Sequence, residues 1–501
     1  MARAWLPPPL PELDRKDAFS IEAFGKKVIG RTARDILRTR DPSNALLQPN
    51  HKPTKGDLGD VMEVYFGIRK NNRPEADFPL AGVELKVLPL KRKGTRLTVK
   101  EPTSISMIDY MTLIYERWEQ PATVRKKLDR ILFVFFVIDP KDLLGSRVKD
   151  VLLWEPKEME NAIFKVDWER TWGIVNRGEA HLLSETQAQA LAARRKGTGG
   201  PREALRPQPR SSVLAPSRAW ALKPCFTRQV FDEKVLKQDF EPAFGDLVEE
   251  MDSKGLQPAE ERIRSSIFRF EGQTLASIAA QARVPLRGGK NLAATIIKRA
   301  LGFERVNARI REFEQLGIDV KTIHLRSRDG FPFEAVSFPA VDLRDLADQT
   351  FEGVELEDGT VIHERSELID QLSRIFFVVT YSPNRNDAQE TRCLGRTFFW
   401  SPTPDQWRTI QSDWEWIRDQ VREGRAAYDK PCTERGRKNR MTPGTILHLR
   451  PHARVACDED VDPRGQRVTK QSYWLNKSFV YQLVKENDAI PPGADPKDGT
   501  P

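Results

Sequence analysis

The chain has 501 residues, of which 39% are hydrophobic, with a formal net charge of +9 and a pI of about 9.2. This length exceeds one ordinary domain, so we expect two or three domains, and the charge is consistent with a polyanionic partner. No apolar run is long enough to cross a membrane, and the four scattered cysteines match no zinc or disulfide pattern. The first residues also lack the apolar core of a signal peptide, so we expect a cytoplasmic protein in a reducing compartment.

The first chemically informative stretch runs from Lys55 to Lys86. Apolar residues at near-helical spacing predict a helix from Gly59 to Gly67, with Glu63 in its middle. The sequence Asn71-Asn72-Arg73-Pro74 then favours a loop. The segment Val83-Glu84-Leu85-Lys86 has the alternation of a strand, so the stretch is predicted to be a helix, a loop and a strand.

Two carboxylates and a lysine are closely spaced at the end of this stretch. Because strand side chains alternate, Glu84 and Lys86 would share one face, and Asp77 lies seven residues before Glu84. Carboxylates offer the oxygen ligands that Mg²⁺ prefers, and a bound cation activates water and neutralises charge on a phosphate. The pattern is therefore compatible with a metal-dependent phosphodiesterase centre. A solvated strand face produces the same short pattern, so both interpretations stay open at this level.

Longer motifs carry a resemblance to a known family. The chain reads KGDLGDVMEVYFG, PEADFPLAGVELKVLPL and VRKKLDRILFVF in that order. These sequences resemble the MutH-type endonucleases, the GATC-directed branch of the PD-(D/E)xK nuclease superfamily. In the family pattern, a helix Glu, an Asp, a Glu-x-Lys pair and a Lys in a later helix form the catalytic set. The resemblance implies that the catalytic residues are Glu63, Asp77, Glu84, Lys86 and Lys127, with Mg²⁺ bound by Asp77, Glu84 and Glu63.

The elements after this centre are read from composition and periodicity. Basic residues from Lys91 to Arg96 predict a turn that either touches phosphates or is a solvated hairpin tip. The run ILFVFFVI from Ile131 predicts a buried strand. From Leu191 to Pro224 the chain is rich in Arg, Gly, Pro and Ser and loses periodicity, which fits an interdomain linker or a DNA-contacting loop. The resemblance favours the loop, with Trp220 to Val230 as the closing segment of the nuclease domain.

The second half of the chain repeats the first. DFPLAGVELKVLPL aligns without gaps with EFEQLGIDVKTIHL, and KKLDRILFVFFV aligns with QLSRIFFVVTY. Two further matches place Asp413-Trp414 opposite Asp167-Trp168 and Trp474 opposite Trp220. A duplicated domain is therefore predicted.

Mapping the five positions through the repeat separates the two copies. Their counterparts in the second copy are, in chain order, Lys298, Glu312, Asp319, Lys321 and Gln371. The Asp and Glu-x-Lys positions keep their charge types, but Lys298 replaces the carboxylate of Glu63. A cation beside a metal position opposes metal binding, so we expect the second copy to bind DNA without catalysing cleavage.

Base-reading residues are less clearly indicated. Direct readout in the major groove uses Arg or Lys for guanine and Asn or Gln for adenine. The segment from Arg194 to Arg218 offers candidates in the first copy. Lys438-Asn439-Arg440 and Arg450-Pro451-His452 offer candidates in the second copy, where surface loops are the competing interpretation.

These observations predict an α+β protein with two tandem MutH-like PD-(D/E)xK lobes, each with a mixed central sheet flanked by helices. We place a catalytic lobe at 1–235, a helical connector at 236–262 and a degenerate DNA-binding lobe at 263–501. Two copies with only the first intact resemble the GATC-cutting type II restriction endonucleases of the family, which implies Mg²⁺-dependent cleavage of double-stranded DNA. A mismatch-repair nickase and a non-catalytic DNA-binding protein are the alternatives. One active centre cuts one strand, so cutting a duplex requires dimerisation or two successive encounters. A second DNA site or a homodimer partner is accordingly an expected partner.

Overall fold

The computed structural model describes residues 12–51, 54, 56–68, 75–93, 96–99, 101–120, 122–197, 205–241, 257–286, 292–301, 309–356, 361–426, 445–453 and 458–495. The chain divides into two compact units. Unit 1 comprises Met1–Asp239, Gly245–Gly255 and Val354–Ile362, and unit 2 comprises Phe240–Phe244, Leu256–Gly353 and His363–Pro501. Within the described residues, none of the helices combines the length and apolarity that crossing a membrane requires.

Unit 1 mixes helices and strands. Its helices are α1 (Ala18–Lys26), α2 (Ala33–Arg40), α3 (Asp57–Phe66), α4 (Tyr110–Leu113), α5 (Thr123–Leu128), α6 (Glu158–Asn176) and α7 (Pro224–Val230), which continues as a π-helix over Phe231–Val235. Its strands are β1 (Glu84–Lys93), β2 (Arg96–Val99), β3 (Thr103–Met107), β4 (Ile131–Val137), β5 (Arg147–Trp154), β6 (Leu191–Arg195), β7 (Leu205–Gln208), β8 (Ser211–Pro216) and β9 (Arg218–Leu222).

The main sheet of unit 1 has the order β2-β1-β4-β5, and only the central β1–β4 pair is parallel. A second sheet has the order β3-β9-β6, and β7 and β8 form a hairpin. Strand β4 is covered on both faces: Val134 and Phe136 pack with α1 to α3, while Phe133 and Phe135 contact Trp154 and Phe231. Burial on both faces explains why the β4 sequence is continuously apolar rather than alternating.

Unit 2 contains helices α8 (Gln257–Phe268), α9 (Leu275–Gln281), α10 (Leu292–Ala300), α11 (Arg311–Gln315), α12 (Leu343–Asp348), α13 (Leu368–Leu372), α14 (Pro404–Arg422) and α15 (Lys477–Glu486). Its strands are β10 (Phe240–Glu241), β11 (Arg309–Ile310), β12 (Ile318–Arg326), β13 (Val336–Val341), β16 (Arg374–Ser382), β17 (Cys393–Leu394), β18 (Phe398–Trp400), β19 (Leu447–Pro451), β20 (Glu459–Val461), β21 (Arg467–Thr469) and β22 (Gln471–Leu475). Strands β14 (Val354–Glu355) and β15 (Val361–His363) pair with each other, and all their residues except His363 belong to unit 1.

The predicted α+β architecture is confirmed, and the strand registers agree with most of the internal repeat. In unit 1 Glu84 pairs with Ile131 across a parallel ladder, and in unit 2 Asp319 pairs with Ile375 in the same way. The antiparallel neighbour is also repeated, because β5 pairs with β4 and β18 pairs with β16. The second sheet recurs as β13-β22-β19.

The prediction that Trp474 is the counterpart of Trp220 is wrong by one residue. Leu191 pairs with Leu222 in unit 1, and Leu447 pairs with Leu475 in unit 2. These registers place Tyr473 opposite Trp220. Equivalent positions in the two units are defined by the strand pairing, whereas the sequence alignment matched one tryptophan to another.

Two predictions about irregular segments also need correction. The described residues of the segment from Leu191 to Pro224, 191–197 and 205–224, are neither a linker nor an irregular loop, because β6 to β9 lie there and β9 is fully buried. The predicted basic turn is instead strand at Lys91–Lys93 and Arg96, and its tip lies outside the described residues. In the region expected to be a helical connector, Phe240–Glu241 pairs as a strand with Arg309–Ile310, α8 begins at Gln257, and 242–256 lie outside the described residues.

A buried aspartate joins the long helix to the second sheet in each unit. In unit 1 the Asp167 carboxylate accepts hydrogen bonds from the backbone N–H groups of Gln189, Ala190 and Leu191 at 2.8–2.9 Å. In unit 2 Asp413 accepts the N–H groups of Ile446 and Leu447, both at 2.8 Å. In each unit the carboxylate therefore accepts hydrogen bonds from buried backbone N–H groups at the start of a strand, β6 in unit 1 and β19 in unit 2.

We expect Asp167→Ala to lower the free energy of unfolding by about 3 kcal/mol, because three buried N–H groups lose their acceptor. Chemical denaturation followed by tryptophan fluorescence measures this change. Glu169→Ala is the control, since this carboxylate on the same helix has a 42% exposed side chain and makes only a long 3.8 Å ion pair with Lys165. Equal stability of the two variants would contradict the anchoring role.

Candidate active site

The site is built around the first residue of β1. The loop before this strand closes through the Phe78–Val83 pair, in which the Phe78 N–H donates to the Val83 carbonyl at 2.9 Å. Gly82 has a φ of +63°, a left-handed conformation that favours glycine. The closed loop brings Asp77 beside β1, where its carboxylate accepts the Leu85 N–H at 2.8 Å.

Glu84 is the most buried carboxylate of this group, with 2% of its surface exposed. One of its oxygens, Oε1, lies 2.8 Å from the Lys86 ammonium and 3.2 Å from the Lys127 ammonium. Its other oxygen, Oε2, is buried and makes no hydrogen bond with the part of the chain that the structure describes. A buried charge with one free oxygen is costly unless a further partner satisfies it.

Helix α5 carries Lys127, the second ammonium group that contacts Glu84. Val124 and Leu128 are buried on the inner face of this short helix, and Lys127 is buried with them. The Glu84 N–H donates to the Arg130 carbonyl at 3.0 Å, which fixes the start of β1 against the segment that joins α5 to β4. The parallel register of β1 and β4 therefore brings Lys127 to Glu84 although the two residues are far apart in sequence.

Helix α3 contributes Glu63. Its apolar face is buried, and its last turn ends at Gly67, whose φ of +65° forms the left-handed C-terminal cap. Glu63 is not among the buried residues of this helix and is half-buried. Its charge raises the pKa of Lys86, so the two groups interact electrostatically.

The site shifts the pKa values of its members in a consistent way. Burial, followed by the negative charge of Glu84, raises the pKa of Asp77 against the opposing effect of nearby ammonium groups. Burial lowers the pKa of Lys86, but the carboxylates of Glu84, Asp77 and Glu63 together outweigh it and raise the pKa above its usual value. Lys86 is therefore a firmly protonated hydrogen-bond donor in this arrangement.

The carboxylates suit a hard divalent cation. Asp77 and Glu84 supply carboxylate oxygens, and the buried Glu84 Oε2 has a vacant acceptor site that a cation would fill. Within the described ranges, no three His, Cys, Asp or Glu side chains come close enough to form a metal-binding group. The arrangement therefore fits two protein carboxylates completed by water and substrate oxygens, a mode that Mg²⁺ commonly adopts.

Unit 2 retains part of this arrangement. Lys321 contacts Asp319 at 2.8 Å, as Lys86 contacts Glu84, but the Asp319 side chain is 43% exposed. Lys321 also lies over the Phe338 ring, 4.9 Å from its centre. Uncharged Gln371 stands at the position of Lys127, and the side chain of Glu312 lies outside the described residues.

The basic segment of unit 1 contains two buried cations that sequence reasoning did not single out from their neighbours. Arg194 lies in β6, and Lys196 follows this strand. Burial lowers the pKa of Lys196, and the charges of Arg194 and Lys86 lower it further, which shows that Lys196 is within electrostatic reach of the site. Arg218, another basic residue of this segment, donates to the Ala193 carbonyl at 2.8 Å and so links β9 to β6.

The base-reading candidates of unit 2 are only partly described. Arg450 lies in β19 rather than in a loop, and its guanidinium lies 3.7 Å from the centre of the Trp474 ring. Lys438-Asn439-Arg440 and the loop at 71–74 in unit 1 lie outside the described residues.

Comparisons with known proteins agree with this geometry. The profile of the family described as DNA mismatch repair enzyme MutH matches residues 66–167, which include Asp77, Glu84, Lys86 and Lys127. A MutH protein of Citrobacter koseri is 30% identical over 190 residues, covering 37% of this chain and 80% of that protein. One from Shewanella amazonensis is 34% identical over 149 residues, covering 29% and 64%. The type II restriction enzyme Sau3AI of Staphylococcus aureus is 26% identical over 479 residues, covering 87% of this chain and 93% of the enzyme.

The buried contact between Glu84 and Lys127 is testable by a double-mutant cycle. We expect Glu84→Gln to destabilise the protein by about 3 kcal/mol, because Lys127 is left buried beside a neutral side chain. Lys127→Met should then recover about 1 kcal/mol or more in the Glu84→Gln background. Denaturant unfolding measures the cycle, and Lys126→Met, an exposed neighbour on α5, is the control. Purely additive effects of Glu84→Gln and Lys127→Met would rule out the contact.

Proposed function

This chain belongs to the MutH family and is a nuclease that acts on DNA, and on that basis we propose that it is a Mg²⁺-dependent type II site-specific deoxyribonuclease. Its proposed substrate is double-stranded DNA with GATC-like sites, in the cytoplasm. The observation that carries the proposal is the Glu84 carboxylate held by Lys86 and Lys127 beside Asp77. Similarity to Sau3AI over 87% of this chain favours a restriction enzyme over a mismatch-repair nickase, because the MutH relatives named above match at most 37% of it.

Asp77 and Glu84 are the proposed Mg²⁺ ligands. Glu63, which the family resemblance names as a further ligand, forms no three-carboxylate group with them among the described residues and contributes negative charge that acts on Lys86. When bound, the cation supplies charge neutralisation at the phosphate and lowers the pKa of water. The protein contributes the fixed positions of the ligands. Glu84 lies at the start of a central strand, and the Asp77 carboxylate accepts a hydrogen bond from the Leu85 N–H of the same strand. The positions of both carboxylates are therefore fixed by β1.

The two lysines have separate proposed roles. Lys86 is 20% exposed, so its ammonium can donate to a phosphate oxygen or orient a water molecule while it contacts Glu84. Lys127 is more deeply buried and holds the same Glu84 oxygen from the side of α5. We therefore assign Lys86 to contact with the reacting phosphate and Lys127 chiefly to holding Glu84 in place.

The lobes divide these tasks in our proposal. Residues 1–235 form the catalytic lobe, 236–262 the connector and 263–501 a lobe that binds DNA without cutting it. The exposed position of Asp319 and the uncharged Gln371 support the loss of catalysis in the second lobe. A single active lobe then completes a double-strand cut either by dimerisation or by two successive encounters, and binding of a second DNA site is proposed to stimulate cleavage.

The cleavage proposal predicts a simple plasmid result. Wild-type protein should convert supercoiled plasmid with GATC sites into discrete linear fragments with Mg²⁺ and should leave it intact with chelator. Glu84→Ala removes a proposed cation ligand and should reduce the rate by at least about a hundredfold, since electrostatic stabilisation of this kind is commonly worth that much. Gel electrophoresis of a time course measures both effects.

Matched variants separate the proposed roles. Asp319→Ala should cut at the wild-type rate, because the corresponding centre of unit 2 is proposed to be inactive. Lys127→Ala should be slow, whereas Lys126→Ala on the same helix should not. Nicked circles without linear fragments would favour the nickase, and no cleavage of any DNA by the wild type would sink the enzyme proposal.

The proposed role of the second lobe makes a separate prediction. If it binds another DNA site that promotes cleavage, a plasmid with two GATC sites should be cut faster per site than one with a single site. Initial rates at equal site concentration measure the difference. Equal rates per site would end the idea that a second site stimulates cleavage.

A further inference from the structure

Five large apolar side chains of unit 1 are exposed around helix α4 and the β7–β8 hairpin. The exposed fraction is 43% for Met107, 46% for Met111, 82% for Tyr115, 47% for Leu205 and 50% for Leu214. We name these five residues the α4 face. Single exposed apolar residues are ordinary on a protein surface, but a group of them marks an interaction site.

The hairpin part of the α4 face is held beside the helix. Helix α4 packs against β7, and the Tyr110 hydroxyl donates to the Pro216 carbonyl at 2.5 Å. Leu205 pairs with Pro216 across the hairpin. Leu214 lies two residues before Pro216 and therefore on the same side of β8. Leu205 and Leu214 thus share the hairpin side on which Pro216 lies.

The remaining part of the α4 face adjoins the proposed active site. Met107 is the last residue of β3, and Met111 and Tyr115 are four residues apart along the helical turns that follow, so these two share one side. Next to Tyr115, the Glu116 carboxylate accepts the Thr123 hydroxyl at 2.6 Å. Thr123 begins α5, a helix of the proposed site. The α4 face is therefore connected to that site without containing any of its residues.

Unit 2 shows that the fold does not require an apolar surface here. An aspartate caps α4, and another caps α12 in the same way, after the equivalent strands β3 and β13. Counted from these caps, exposed Arg344 stands at the position of Met111, and exposed Asp348 stands at the position of Tyr115. The same scaffold carries charges in unit 2 and apolar side chains in unit 1, so the apolar residues serve a purpose specific to unit 1.

The composition and size of the α4 face fit a protein partner. Exposed Arg206 and Arg210 flank it on the hairpin, and Met, Tyr and Arg are the residues enriched in protein interfaces. A DNA-binding surface would instead carry positive charge across the whole face. The five side chains offer on the order of several hundred Å² of apolar surface, a large part of the ~800 Å² that each partner buries in a standard interface.

A second copy of the chain is the partner that best meets these requirements. An apolar face is complementary to itself, which is what a two-fold symmetric contact needs. The two strands of a GATC duplex carry the same sequence, so the duplex has a matching two-fold symmetry. Each copy would then present one active centre to each strand.

We propose that the α4 face is the surface through which two copies of the chain associate, so that their catalytic units act on one duplex together. The inference rests on the proposed nuclease function and assigns a surface to one of its two routes to a double-strand cut. Association converts two independent nicks into one coordinated cut, because the second centre is already in place when the first strand is broken.

Residues borrowed from unit 2 test the α4 face with little risk to folding. We expect the double variant Met111→Arg/Tyr115→Asp to weaken association at least about a hundredfold, because charges replace two interface anchors. Sedimentation velocity with a short one-GATC duplex, and with Ca²⁺ in place of Mg²⁺, measures the number of chains in each complex. Wild type should form two-chain complexes and the double variant one-chain complexes. Phe19→Asp is the control and should match wild type, since Phe19 is 74% exposed on α1, outside the α4 face.

A mixing experiment tests the same surface on the wild-type protein. Excess Glu84→Ala should pair with wild type into dimers that cut one strand, so nicked plasmid should accumulate with Mg²⁺. Excess Glu84→Ala that also carries Met111→Arg/Tyr115→Asp cannot pair and should leave linear fragments as the main product. Equal accumulation of nicked plasmid with both inactive proteins would overturn the proposal. One-chain complexes of the wild type, or two-chain complexes of the double variant, would overturn it as well.

These measurements separate failure of the interface from failure of the proposed function. If the wild type cuts plasmid with Mg²⁺ but the double variant still forms two-chain complexes, only the α4 face loses its role. If the wild type neither binds the duplex nor cuts any plasmid, the nuclease proposal fails and the inference fails with it.

Discussion

The site depends on one buried carboxylate that is shared by two ammonium groups. Burying the Glu84 carboxylate at the start of a central strand is costly, and the ammonium groups of Lys86 and Lys127 compensate for its lost hydration. Lys86 is supplied by the strand itself, but Lys127 arrives only when β4 pairs with β1 in the observed parallel register. Completion of the charge cluster is therefore coupled to formation of the core, because β4 is buried along its length except at its last residue.

Local patterns were sufficient to predict the elements that carry the site. The apolar spacing of α3 and its terminal glycine, the alternation of β1 and the apolar run of β4 each have one dominant local cause. Strand alternation predicts that Glu84 and Lys86 share one face, but the approach of Asp77 and Lys127 to them does not follow from spacing, because loop closure and strand register create it. It was predicted only through the family resemblance.

Other features were missed because tertiary contacts override local composition. The Arg- and Pro-rich segment looked irregular, yet β6 and β9 are buried in a sheet whose first N–H groups are satisfied by Asp167. The position of Trp220 in the repeat was misplaced because strand ladders, not residue identities, determine correspondence. The carboxylate of Glu355, which is buried against Ser104 and Lys196, has no sequence signal, since these partners lie more than 150 residues away along the chain.

The two charge clusters of unit 1 are unbalanced in opposite directions. Around Glu84, three carboxylates including Asp77 and Glu63 interact with the ammonium groups of Lys86 and Lys127, so the ionised cluster has a deficit of positive charge. Around Glu355, one carboxylate meets two cations, so that cluster has a deficit of negative charge. Burial of each unbalanced set is costly and is tolerated only while its close contacts persist. Because the charge of Lys86 contributes to lowering the pKa of Lys196, the two clusters are coupled electrostatically.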